Sequence, residues 1–82
     1  MNLVLICNEE KVFDGAAVEV NAITDGGPVT ILPQHKPYLT KISGNVSYMT
    51  EADEHFAVDI IKGFLYTNGT DCFVVIDKEP AR

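Results

Sequence analysis

The stretch Phe64-Leu65-Tyr66-Thr67-Asn68-Gly69-Thr70-Asp71-Cys72-Phe73-Val74-Val75-Ile76 sets two short apolar runs on either side of an Asn-Gly pair. Asn and Gly tolerate the positive φ angles of a tight turn, and Asn-Gly between apolar runs is the strongest short-range signal for two antiparallel strands. Both runs are rich in aromatic and β-branched residues and too short for helices. A β-hairpin is predicted here, and the rest of the chain is read outward from it.

Upstream, Phe56, Val58 and Ile60 alternate after a polar tip, Glu51-Ala52-Asp53-Glu54, and Gly63 breaks that run before Phe64. Glu51–Ile61 is the one segment with a claim to helix, but Gly63 and the β-branched pair Ile60-Ile61 favour strand. Asn45–Thr50 sets Val46 and Tyr48 against Ser47. Ala16–Ile23 sets Val18, Val20 and Ala22 against Glu19 and Asn21, the period of two of a half-buried strand. Asp14-Gly15 and Asp25-Gly26-Gly27-Pro28 read as turns, because Gly supplies positive φ and Pro fixes its own φ and lacks a donor. Val29–Leu32 is a strand stopped by Pro33. Two prolines four apart then exclude regular structure from Pro33-Gln34-His35-Lys36-Pro37. Leu3–Asn8 begins with an uninterrupted apolar run, as in a strand buried on both faces. Short strands between turn signals, with no helical period, predict an all-β sandwich or barrel. No repeat or linker interrupts it. One domain is expected over residues 1–78, with a short tail at 79–82.

Composition bounds the partners. The chain has 82 residues, enough for one small domain, and 46% of them are hydrophobic. Six Lys and Arg stand against twelve Asp and Glu, a net charge of -6, and no basic cluster exists. Nucleic acids and anionic lipid surfaces need cations gathered on one face, so both are disfavoured. The acids are scattered, as on a solvated surface. No apolar run is long enough to insert in a membrane, and the N-terminus lacks the pattern of a signal peptide. A cytosolic, reducing compartment follows, where Cys7 and Cys72 are expected as free thiols packed like small hydrophobes.

The search for chemistry yields no candidate catalytic, cofactor or metal site. His35 and His55 lie far apart with no Cys, Ser or carboxylate at nucleophile or ligand spacing. Gly26-Gly27 suggests a phosphate loop only superficially, because a strand and not a helix N-terminus follows it.

Four pieces in order carry a resemblance: Val12-Phe13-Asp14-Gly15; the turn Asp25-Gly26-Gly27; Ile31-Leu32-Pro33-Gln34-His35-Lys36-Pro37-Tyr38-Leu39-Thr40; and Gly63-Phe64-Leu65-Tyr66 with Phe73-Val74-Val75-Ile76. Over residues 1–78 the chain resembles the N-terminal domain of the epsilon subunit of F-type ATP synthases. The family pattern has Gly where this chain has Thr30 and Gln34, and Ala where it has Lys36. The resemblance implies a flattened antiparallel β-sandwich of two sheets. It also implies a non-catalytic rotor subunit of the central stalk, peripheral on the cytoplasmic face of an energy-transducing membrane, bacterial or organellar. Its implied partners are the gamma subunit and the c-ring, with proton-driven rotation of the c-ring coupled to ATP synthesis. The gamma-facing residues it implies are Phe13, His35, Tyr38, Leu39 and Thr40, and the c-ring-facing turn holds Asp25, Gly27 and Pro28. Ordinary turn chemistry and packing also account for each. Epsilon subunits usually continue into an inhibitory C-terminal helical hairpin, which a chain ending at Arg82 is expected to lack. The competing reading, a free-standing β-sandwich adaptor or ligand-binding module, wants exposed aromatic platforms, and the chain has no Trp.

Overall fold

The computed structural model describes residues 1–77. Its six strands are β1 (Asn2–Cys7), β2 (Glu10–Thr24), β3 (Gly27–Ile31), β4 (Tyr38–Thr50), β5 (His55–Thr67) and β6 (Asp71–Asp77). There is no helix among the described residues. The end of the expected domain and its tail at 79–82 lie outside them.

The strands are hydrogen-bonded in the order β1-β6-β5-β4-β2-β3, and a further β1–β2 pairing closes the sheet on itself with β3 outside the ring. The expected two antiparallel sheets are thus corrected to one continuous hydrogen-bonded sheet containing one parallel pair, β1–β6. Closure explains the parallel pair. Five strands form the ring, and an odd number cannot alternate direction all the way round. The mismatch falls where the first and last strands meet, with no short connection forcing them antiparallel.

A flattened shape survives, with extents of 37 × 28 × 19 Å. The long strands achieve it by serving two walls. Residues 38–42 of β4 pair with 63–67 of β5, which also pair with β6. Residues 44–49 of β4 pair with 55–60 of β5, and residues 46–50 pair with β2. Between these halves the register shifts: Ile42 faces Gly63, yet Gly44 faces Ile60, so one residue of β4 opposes two of β5. Such a bulge bends and twists a strand. Ile61 and Lys62 are the two opposing residues, and both are exposed.

Between the walls lie Leu3 and Leu5 of β1, Val20 of β2, Ile31 of β3, Leu65 of β5, and Val74 and Ile76 of β6, all fully buried. Each large aliphatic side chain there contributes about 1.5–3 kcal/mol of burial. In β1 only Leu3 and Leu5 are buried, while Val4 and Ile6 face outward and are half-covered. The expectation of burial on both faces of β1 is corrected accordingly. Asp14-Gly15 is no turn, because β2 runs straight through it opposite Leu3 and Val4. The reversal comes earlier, at Asn8 and Glu9, whose φ angles of 50° and 70° make a two-residue turn between paired Cys7 and Glu10. The β5–β6 hairpin stands where Asn68-Gly69 put it. Asn68 Oδ1 accepts the N–H groups of Thr70 and Asp71 at 3.0 and 2.8 Å, and Gly69 takes φ +101°.

Candidate functional site

The crossover from β3 to β4 carries His35. It is seated on the β5–β6 hairpin, where the Gln34 N–H donates to the Gly69 carbonyl at 2.8 Å. The His35 N–H donates to the Leu32 carbonyl at 3.1 Å, its Nδ1 lies 2.7 Å from the Lys36 carbonyl, and its ring leans on Tyr38 at 5.8 Å. This loop is held in place by two backbone bonds and a ring contact. His35 is half-buried on it.

Strand alternation divides the remaining gamma-facing candidates. Tyr38 and Thr40 point to the interior side of β4, and Leu39 between them points out, 67% exposed. Tyr38 packs against the core. So does Phe13, whose ring lies 4.8 Å from that of Tyr48. Asp25, Gly27 and Pro28 form the β2–β3 tip at the opposite end of β3 from His35. There the Thr24 hydroxyl donates to the Gly27 carbonyl at 2.8 Å and accepts the Gly26 N–H at 3.1 Å, while Gly27 takes φ +112°. Asp25 and Pro28 are exposed.

Leu39 belongs to a larger surface. Across β4–β5 it faces Tyr66, Tyr66 faces Phe73 on β6, and Phe64 faces Val75 one pair along. These five outward side chains are between 40% and 67% exposed. The Tyr66 and Phe73 rings stack at 6.4 Å. Beyond β6 the patch continues into half-covered Val4 and Ile6, partners of Phe73 and Val75. Contiguous apolar faces on soluble domains often serve as binding surfaces, which makes this one the candidate site. Of the predicted residues only Leu39 lies on it. A signal for it was present in the sequence: three strands that become neighbours, β1, β5 and β6, are apolar at consecutive positions, which leaves both sides of each strand apolar. Phe56, Phe64, Tyr66 and Phe73 all stand exposed on their strands.

Residues 1–79 match the family described as ATP synthase, Delta/Epsilon chain, beta-sandwich domain. The chain belongs to this family. The ATP synthase epsilon chain of a Synechococcus strain is 29% identical to it over 82 residues, 99% of this chain and 61% of that one. Solved relatives share the delta/epsilon fold. A chain of the Euglena gracilis mitochondrial ATP synthase, in an OSCP/F1/c-ring structure, superposes with a TM-score of 0.79 at 20% identity, covering 98% of this chain and 51% of that one. A chain from the central stalk and c-ring of the Tetrahymena thermophila mitochondrial ATP synthase gives 0.75 at 14% identity, over 94% and 63%. The chain thus spans between half and two thirds of the length of these relatives.

Little in this delta/epsilon sandwich resembles reaction chemistry. Among the described residues no three His, Cys, Asp or Glu gather as metal ligands. Asp14 is held below the usual carboxylate range by hydrogen bonds from Lys11 and Asn2 and by the Lys11 charge, on an open surface. Cys72 is fully buried, and burial pushes its thiol up to about 11, so it stays protonated and inert.

Proposed function

We propose that this chain is the sandwich of a non-catalytic central-stalk subunit that helps couple c-ring rotation to ATP synthesis in an F-type ATP synthase. The subunit is peripheral to the membrane-bound complex. The observation that carries the reading is the outward apolar face of Leu39, Phe64, Tyr66, Phe73 and Val75 on a delta/epsilon-family sandwich. That face docks on the gamma subunit. Leu39 stands on it, Tyr38 and Thr40 lie on the interior side of the same strand, and His35 and Phe13 complete the gamma-facing set. The β2–β3 tip, with Asp25, Gly27 and Pro28, meets the polar loops of the c-ring. Transmitting torque between the two requires a body that does not deform continuously, which a close-packed interior supplies.

Restraint of ATP hydrolysis needs an element with two arrangements. Residues 1–77 hold strands and turns in one closed sheet, which supports coupling without braking as the reading for these residues. The test adds this chain to an ATP synthase depleted of its epsilon subunit and follows hydrolysis together with proton pumping. Restored pumping with hydrolysis undiminished is expected. Failure to restore pumping overturns the coupling role, and strong inhibition of hydrolysis shows that the sandwich itself brakes the rotor.

A further inference from the structure

One border of the apolar face is cationic. Lys41 projects from β4 opposite Phe64, and Lys62 stands at the β5 bulge opposite Asp77. Between them opens a hollow of about 380 Å³. Its floor is Ile42, Gly63 and Ile76, and Phe64 and Val75 form its apolar wall. Gly63 in the floor lets β6 approach closely: a Cβ there would overlap the Val75 carbonyl oxygen and come within 2.8 Å of Ile76 Cγ2.

The charges at the mouth are unequal. Among the described residues Asp77 is the one carboxylate lining the hollow, against two ammonium groups. Among the described residues the one ion pair is Lys11–Asp14, so neither Lys41 nor Lys62 is neutralised there. Both lysines are exposed and hydrated while the face is free. Covering the apolar face removes that water, and a charge taken from water must find a partner or cost several kcal/mol. Asp77 offsets one lysine at most. A carboxylate from whatever covers the face would offset the other, even though this chain is itself acidic, at a net charge of -6.

We propose that the segment seated on this face, gamma under the function proposed above, presents a carboxylate flanked by apolar side chains. That carboxylate enters the hollow and pairs with Lys41 and Lys62. The apolar flanks lie along Phe64 and Val75, and the ion pair fixes the segment's register on the sheet.

A zero-length cross-link tests this in the complex formed by the full chain and an epsilon-depleted ATP synthase. A water-soluble carbodiimide activates a carboxylate, and a lysine amine in contact displaces the urea to leave an amide. Mass spectrometry of the digest is expected to find Lys41 or Lys62 joined to an Asp or Glu of gamma with apolar neighbours. The double variant K41M/K62M keeps the aliphatic stems, and its unchanged circular dichroism verifies the fold. It is expected to bind about 10-fold more weakly with a flatter salt dependence. Unchanged affinity of the double variant, or cross-links from these lysines that reach only a second copy, the c-ring or the chain itself, overturns the proposal while leaving the function standing. Absence of any binding by the wild-type chain overturns the function, and this inference with it.

Discussion

Gln34 sits at φ +67° in the crossover that carries His35, a left-handed conformation that costs a side-chain-bearing residue about 1–2 kcal/mol. The same position is Gly in the pattern the chain resembles, and the structure supplies the reason: there the backbone turns left to hand its N–H to the Gly69 carbonyl. Gln34→Gly is expected to raise stability by about 0.5–1 kcal/mol, net of the added chain entropy, in urea unfolding. A loss of stability instead means that the Gln34 side chain contributes more than its strained backbone costs. Cys72 behaves differently. Its thiol is raised from an ordinary 9.0 to about 11 by burial. A group whose folded pKa lies above its unfolded value contributes fully below pH 9, and that contribution is lost as pH rises through 11. Unfolding free energy is therefore expected to fall more steeply between pH 9 and 11 in the wild type than in Cys72→Ala, and native Cys72 should resist alkylation at pH 8. Equal slopes in the two proteins would show that the thiol ionises as readily folded as unfolded.

At the scale of elements, the bulge where β4 and β5 shift register shapes the molecule, because it bends one wall into the other. Gly63 flanks it against β6, with the Val75 carbonyl where a Cβ would go. Gly63→Ala pushes on backbone, which cannot rotate away, and is expected to cost about 2–4 kcal/mol by thermal or denaturant unfolding. Gly15→Ala is the control: its Cβ would first meet the Phe13 ring, at 3.2 Å, a side chain and not backbone. A similar cost at both positions refutes the backbone argument. Strands were legible where alternation was clean, as in Ala16–Ile23 and Asn45–Thr50. Their lengths were not. Asp14-Gly15 carries turn chemistry, yet β1 pairs across it and overrides the local preference.

For the whole molecule, stability and binding are expected to separate by face. Leu65 points into the core with no exposure, and Leu65→Ala should cost about 2–5 kcal/mol of stability. Leu39 and Phe64 point outward, 67% and 52% exposed. Their replacement by Ala should change stability by about 1 kcal/mol or less. It should weaken binding to an epsilon-depleted ATP synthase by about 10-fold or more, the effect of losing an apolar anchor at an interface. Affinity that survives both outward substitutions, measured on folded variants, would place the docking surface elsewhere.

The all-β class, the hairpin at Asn68-Gly69 and the irregular crossover between Pro33 and Pro37 were determined by the sequence alone. Each depends on neighbours a few residues apart: the pleat's period of two, the φ freedom of Gly and the missing donor of Pro. The candidate site was legible only in part. Tyr38, Leu39 and Thr40 were grouped by the resemblance, but consecutive strand residues face opposite sides, and the pleat leaves Leu39 alone outside. Tertiary structure decided the rest: the parallel meeting of β1 with β6, the closure through β1–β2, and the joining of Leu39 to Tyr66 and Phe73 in one face. These pairings join residues up to about seventy positions apart. Local patterning cannot choose among such pairings, because it marks a strand's apolar sides without saying which other strand will lie beside them.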